Sequence, residues 1–196
     1  MRPHIDPRAT MSTLDPLRRC IAELNVIADL ADEPLILAKG GEALAALVAR
    51  EAWLPPSHAV PDPEHYRQYL LYRDPARRFS IVSFVWAGGQ HTPIHDHTVW
   101  GLVGVLRGAE IAERFELGGT GLERAGEARL EPGAVDAVSP RVGDIHRVRN
   151  AFADRVSISI HVYGDDIGAV RRHVYDDRGR QKPFVSGYAP APVLPL

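Results

Sequence analysis

Cysteine, methionine and long apolar runs are what this chain of 196 residues has least of: one Cys and two Met. With Cys20 alone, an intrachain disulfide framework is excluded, which fits a reducing, cytoplasmic setting. No window approaches the roughly 18 consecutive apolar residues of a membrane helix, so no membrane partner is expected. Charge of one sign is lacking too. The 23 Lys and Arg stand against 25 Asp and Glu, a net charge of −2. That balance offers no basic face to nucleic acid or to an anionic membrane. The N-terminal stretch MRPHIDPRATMSTLD has a charged start with no apolar run after it, so no secretory leader is expected.

What is present is an ordinary globular composition, 45% hydrophobic and 24% charged, on a length that suits one domain with a sizeable core. The chain divides into a helical part (1–75), a β part (76–180) and a Pro-rich tail (181–196) of one domain, and oligomerisation stays open. Three helices are expected in the first part. The first is capped at Ser12 or Thr13, has Pro16 in its first turn, and places Leu17, Cys20, Ile21, Leu24, Ile27 and Leu30 at helical spacing. The second is GGEALAALVAREAWL, ended by Pro55 and Pro56. The third is DPEHYRQYLLYRDP, ended at Pro75. From there on, short runs rich in β-branched and aromatic residues alternate with Gly, Pro, Asn and Asp, the pattern of a β-sandwich or barrel.

Nine histidines are many for this length, and their placement is uneven. In the segment Gly89-Gln-His-Thr-Pro-Ile-His95-Asp-His97, an extended backbone puts His95 and His97 on one face and Asp96 on the other. Two imidazoles so placed can chelate one metal ion. His146, after the Gly143 turn, offers a third. Imidazole suits iron, zinc, copper and nickel alike. Trp86 and Trp100 flank the segment and read more readily as core than as substrate wall. His4, His58, His65, His91 and His173 read as non-ligands.

The run of Gly, five residues and His-x-His from Gly89 to Gly108, with Gly-x-x-His-x-x-x-Asn between Gly133 and Asn150, resembles the double motif of the cupins, small antiparallel β-barrels with a metal in the mouth. Where most cupins carry a glutamate after His-x-His, this chain has Trp100, Gly101 and Leu102. That departure narrows the resemblance to the thiol dioxygenases, cupins whose iron is held by three histidines, and PIHDHTVWGLVGVLRG is similar to their bacterial members. The resemblance implies a mainly β cupin or jelly roll with an N-terminal cap of about three α-helices. It also implies one Fe(II) per chain on His95, His97 and His146. O2 and a small carboxylate thiol are the implied partners, the thiolate supplying the negative charge that three neutral imidazoles do not.

Further residues follow from the same resemblance. SISIHVYG alternates polar and apolar positions. It reads as a half-exposed strand or as a hydrogen-bonding chain, and the family's Ser-x-His-x-Tyr places Ser159, His161 and Tyr163 beside the metal. Animal cysteine dioxygenases carry a cysteine near Gly101, cross-linked to that tyrosine. No such link is expected here, and Cys20 reads as a small buried apolar residue. Their carboxylate-binding arginine, in a Tyr-x-Arg run of the third helix, is replaced by Gln68, with Arg67 one position off. In the 3-mercaptopropionate enzymes a later arginine serves, and Arg172 matches it. The expected activity is therefore oxidation of 3-mercaptopropionate to its sulfinate. L-cysteine is the alternative substrate. A zinc hydrolase and a non-catalytic cupin binding metal or a small acid are the rival classes.

Overall fold

The computed structural model describes residues 13–119 and 121–196. Helix α1 spans Asp15–Ala28 and buries Leu17, Cys20, Ile21 and Leu24, the stripe its spacing predicts. Leu14 holds the N-cap position with no side-chain cap; Ser12, the other cap candidate, lies outside the described residues. Helix α2 spans Glu33–Val48, beginning before the expected Gly40. The start signal is Asp32, whose carboxylate accepts from Leu35 N at 3.2 Å, with Pro34 in the first turn.

The third expected helix does not exist. Arg67–Arg73 is strand β1, paired antiparallel with β2 (Ser80–Trp86). Its aromatic residues pack better on a pleated surface, and tertiary pairing overrides the helix pattern. Eight further strands follow: β3 (Gly101–Arg107), β4 (Glu110–Gly118), β5 (Gly121–Leu130), β6 (Val135–Val138), β7 (His146–Asn150), β8 (Ser157–Tyr163), β9 (Arg172–Tyr175) and β10 (Gln181–Phe184). They form sheets in the orders β1-β2-β8-β3-β6, β5-β4-β7 and β10-β9, with every paired strand antiparallel. Among the described residues the architecture is mainly β with two N-terminal helices. No described helix is long and apolar enough to cross a membrane.

Strand β8 is central and buried along its whole length. Ile158, Ile160 and Val162 pack in the larger core with Leu24, Leu44 and Leu47 of the two helices. Covering this outer face turns the sheet inside out relative to the half-exposed alternative: the polar face, Ser157 to Tyr163, points into the barrel. Close approach requires small residues on β3. A Cβ at Gly104 would lie 2.9 Å from Leu44 Cγ, so the glycine lets α2 seat against the strand.

Gly101 serves the inner side in the same way. A Cβ there would stand 2.8 Å from Tyr163 Cδ1 and 3.0 Å from Val138 Cγ2. Gly101→Ala is expected to destabilise the protein by about 1–3 kcal/mol through overpacking, read as a lowered denaturation midpoint. An unchanged midpoint would mean that Tyr163 is not held where the fold places it.

Candidate metal centre

The three sequence-predicted histidines converge. Their ring centroids are 4.9 Å apart for His95–His97, and 4.8 Å for both His95–His146 and His97–His146. One ring nitrogen from each lies within 4.8 Å of the others, and all three side chains are buried. The pairing that achieves this is not the regular strand expected for His95-Asp-His97. His95 is an isolated bridge residue between His146 and Val174, exchanging N–H···O bonds of 2.9 and 3.0 Å with His146. Asp96 does face the other way, where its carboxylate accepts from His173 and from the Tyr175 hydroxyl at 2.7 Å.

Hydrogen bonding assigns the tautomers. Pro93 O can only accept, so the 3.0 Å contact makes His95 Nδ1 a donor and leaves the Nε2 lone pair free. Asp144 likewise accepts from His97 Nδ1 at 2.9 Å, and its two oxygens also take the backbone N–H groups of His97 and Thr98. His97 Nε2 is buried with no hydrogen-bond partner, as is His146 Nδ1. Unpartnered buried nitrogens are costly in an empty protein and suited to a ligated one. Burial, more than mutual repulsion, lowers the basicity of all three. His95 falls to about 4, and His97 and His146 fall well below the ordinary value. The imidazoles are thus held neutral, the form that binds a metal, and the residues fit a mononuclear metal ion. Asp144 carries no sequence signal of its own, although it stands two residues before His146.

The neighbouring chain is also assembled. Ser159 Oγ is 2.8 Å from His161 Nε2, and His161 Nδ1 is 2.7 Å from the Tyr163 hydroxyl. His161 stacks on Phe84 at 4.1 Å, and Tyr163 stacks on His97 at 5.3 Å. Burial pushes His161 down to about 3 and raises the Tyr163 phenol, so both are neutral near pH 7.

A cavity of about 200 Å³ joins these groups. His95, His146, His161 and Tyr163 line it on one side, Gln68, Arg172 and Phe184 on another, with Trp86 in its wall rather than only in the core. The adjacent arginines part company: Arg171 is exposed and Arg172 buried. Arg172 Nη2 donates to Ser186 Oγ at 2.7 Å, its guanidinium lies 4.8 Å from the Phe184 ring, and its Nε has no partner. No carboxylate among the described residues forms an ion pair with it, and burial is the leading cause of its lowered basicity.

Gln68 comes from β1, not a helix. Its Nε2 donates to Ser186 Oγ and Gly187 O. Arg67, facing the other side of the strand, pairs with Asp62. Ser186, in the Pro-rich tail, carries no sequence signal. The tail is positioned by Ala189 N donating to Gln68 O and Gly187 N to Gly168 O. Cys20 is free and buried on α1, with its thiol pushed up to about 12.

The acid response has a definite sign. His95, His97, His146 and His161 bind protons less readily folded than at their ordinary value of 6.5, so unfolding takes up protons below that pH. Stability of the metal-free protein is expected to fall as pH drops from 6.5 towards about 4, where folded His95 itself titrates. Glu110, raised to about 7, and Asp144, raised by burial, oppose this with two protons against the four histidines' four, to which His58, also lowered by burial, adds a fifth. Denaturation midpoints across that range check it; a midpoint that rises on acidification would contradict burial of the neutral cluster.

No family model matches the chain. Solved structures similar to it include a cupin superfamily protein from Desulfitobacterium hafniense, at 17% identity over 58% of this chain and 90% of that one, with a TM-score of 0.44. A protein from Thermus thermophilus is similar at 22% identity over 55% and 90%, with a TM-score of 0.44. An oxalate oxidase in complex with glycolate is similar at 15% identity over 57% and 58%, with a TM-score of 0.45.

Proposed function

We propose that this protein is a cupin-type, non-haem Fe(II) thiol dioxygenase whose substrate is 3-mercaptopropionate. The observation that carries the proposal is the buried, carboxylate-free Arg172 in the same small cavity as His95 and His146 of the neutral histidine cluster. A buried cation without an anion is strongly unfavourable, so the cavity is built for an anionic ligand. A carboxylate meets that need bidentately. The cavity, about 200 Å³, admits only a small molecule.

Fe(II), when bound by His95, His97 and His146, would supply the coordination positions for the thiolate and for O2. The overall reaction joins thiolate and O2 into a sulfinate, sulfur losing four electrons and O2 gaining them. Arg172 holds the carboxylate and so aims the sulfur at the histidine cluster. Ser186 and Phe184 fix the guanidinium from two sides. Tyr163 presents its hydroxyl to the cavity and is held in line by His161. Trp86, Phe84 and Val148 exclude water from the wall.

The choice of thiol rests on what the wall contains. Among the described residues no Asp or Glu lines the cavity, so the α-ammonium of cysteine would enter without an anionic partner. Gln68, with its amide donors committed to Ser186 and Gly187, supplies no charge. The test is O2 consumption by the Fe(II)-loaded protein with 3-mercaptopropionate, L-cysteine and cysteamine, with sulfinate identified by mass. The expected order of kcat/KM places 3-mercaptopropionate first and cysteamine, which lacks a carboxylate, last. A preference for L-cysteine would overturn the use made of Gln68. Absence of O2 uptake with every thiol would overturn the activity.

A further inference from the structure

Glu110, the first residue of β4, is a buried carboxyl that the proposed reaction leaves unused. It has no exposed surface, and neither oxygen has a partner at normal hydrogen-bond length. It is also without a cation: the polar groups that act on it are the Ser159 hydroxyl and the Trp86 indole, within reach of its charge though outside regular hydrogen-bond geometry. Its cross-strand neighbour on β7, Asn150, is committed elsewhere, its amide donating to Trp86 O, Ala87 O and Arg155 O and its oxygen accepting from Ser157. Leu130 stands opposite on β5. Of the titratable groups on the inner face of β8, His161 and Tyr163 lie beyond Ser159. Glu110 therefore sits at the end of the Ser159–His161–Tyr163 chain remote from the histidine cluster.

Counting donors at Ser159 makes this placement consequential. The hydroxyl has one hydrogen and two acceptor positions. Trp86 Nε1, a donor only, takes one acceptor position at 3.3 Å. One hydrogen and one acceptor position are left for two neighbours, His161 Nε2 and Glu110. If Ser159 donates to His161, the position it leaves towards Glu110 is an acceptor, which a protonated Glu110 can approach as a donor and a carboxylate cannot. His161 Nδ1–H then donates to Tyr163, whose own hydrogen is free for the cavity. An ionised Glu110 instead draws the Ser159 hydrogen towards itself, so that His161 donates from Nε2 and Tyr163 spends its hydrogen on His161 Nδ1.

We propose that Glu110 is the proton terminus and direction-setting residue of the Ser159–His161–Tyr163 chain, its carboxylic acid form making Tyr163 a donor to the cavity and its carboxylate form making Tyr163 an acceptor. Delivery of one proton from Tyr163 balances as a shift of each hydrogen by one place: Nδ1–H to Tyr163, Ser159 hydrogen to His161, Glu110 proton to Ser159. Glu110 ends as the carboxylate, and the other three end neutral. Burial raises the Glu110 carboxyl to about 7, so both forms are populated near neutrality. What Tyr163 donates to rests on the dioxygenase proposal; the direction of the chain does not.

The test separates the two. In the full chain, metal-free and loaded with Zn(II) as a diamagnetic ion, nitrogen NMR of labelled histidine reports the His161 tautomer. The expected result is Nδ1–H below neutrality and Nε2–H above it. Glu110→Gln, which cannot titrate, is expected to hold one His161 tautomer at both. One tautomer throughout in the unsubstituted protein, which needs no variant to fold, would overturn the proposal, as would a Gln variant that still switches. In the Fe(II)-loaded protein, kcat/KM for 3-mercaptopropionate is expected to fall about tenfold per pH unit above the midpoint, a limb that Glu110→Gln removes. A switching tautomer with no turnover of any thiol would overturn the dioxygenase proposal and leave the role of Glu110 standing.

Discussion

Arg172→Met is expected to lower kcat/KM for 3-mercaptopropionate by about 10²–10³-fold, the cost of leaving a buried carboxylate without its charged partner. The same substitution should leave the ligand-free protein as stable as before, or more stable by about 1–4 kcal/mol, because it replaces an uncompensated buried cation with an apolar chain of similar volume. The two effects have opposite signs, which a general disturbance of folding would not produce. A thiol without a carboxylate adds a control: cysteamine oxidation should be nearly equal in the two proteins. Oxygen uptake gives the first quantity and thermal melting the second. If Arg172→Met destabilised the empty protein strongly, Arg172 would be a structural residue serving Ser186 and Phe184, and the anion-binding role would be wrong. If kcat/KM did not change, the substrate would be held elsewhere.

His97→Gln is the second large effect. His97 is fully buried, and Asp144 commits its Nδ1 so that only Nε2 faces its two companions. Losing a residue that merely orients a metal ligand costs up to about 100-fold in metal affinity. Losing the ligand itself should exceed that and reduce bound metal from one per chain to a small fraction after dialysis. Metal analysis and competition with a chelator measure it. The fold should survive, since the rings contribute no charge and Gln fills much of the space, and circular dichroism checks this. His91→Ala, four residues before His95 but exposed, should leave metal content unchanged. Equal metal content in His97→Gln and in the unsubstituted protein would remove the three-histidine site.

Much of the site is legible in the chain because its signals are local. His-x-His with Gly and Pro before it, and Gly-x-x-His after it, are short patterns whose backbone geometry leaves few alternatives. The alternation in SISIHVYG marks one strand with two chemically different faces. The residues that no pattern marks are those whose partners are distant in sequence. Asp144 orients His97 across 47 residues, and Gln68 meets Ser186 across 118. Glu110 looks like any strand glutamate until β8 and β2 enclose it. Arg67–Arg73 is ambiguous for a related reason: a run of Tyr and Leu bounded by Pro suits either a helix or a strand, and only pairing with β2 settles the period.

By itself, then, the sequence determined the elements of the candidate metal centre: which histidines, in which order, with no glutamate after His-x-His, on a β scaffold preceded by helices. These follow from residue type and spacing, which are properties of a few adjacent residues. The tertiary structure decided which face of β8 is inside, because burying Ile158, Ile160 and Val162 under two helices leaves Ser159, His161 and Tyr163 no place but the barrel. It also decided that Arg172 and Glu110 are buried ionisable groups without ion-pair partners among the described residues, one beside the cavity and one behind it. Burial and the absence of a partner depend on every chain segment that packs around a group, and no local pattern encodes them.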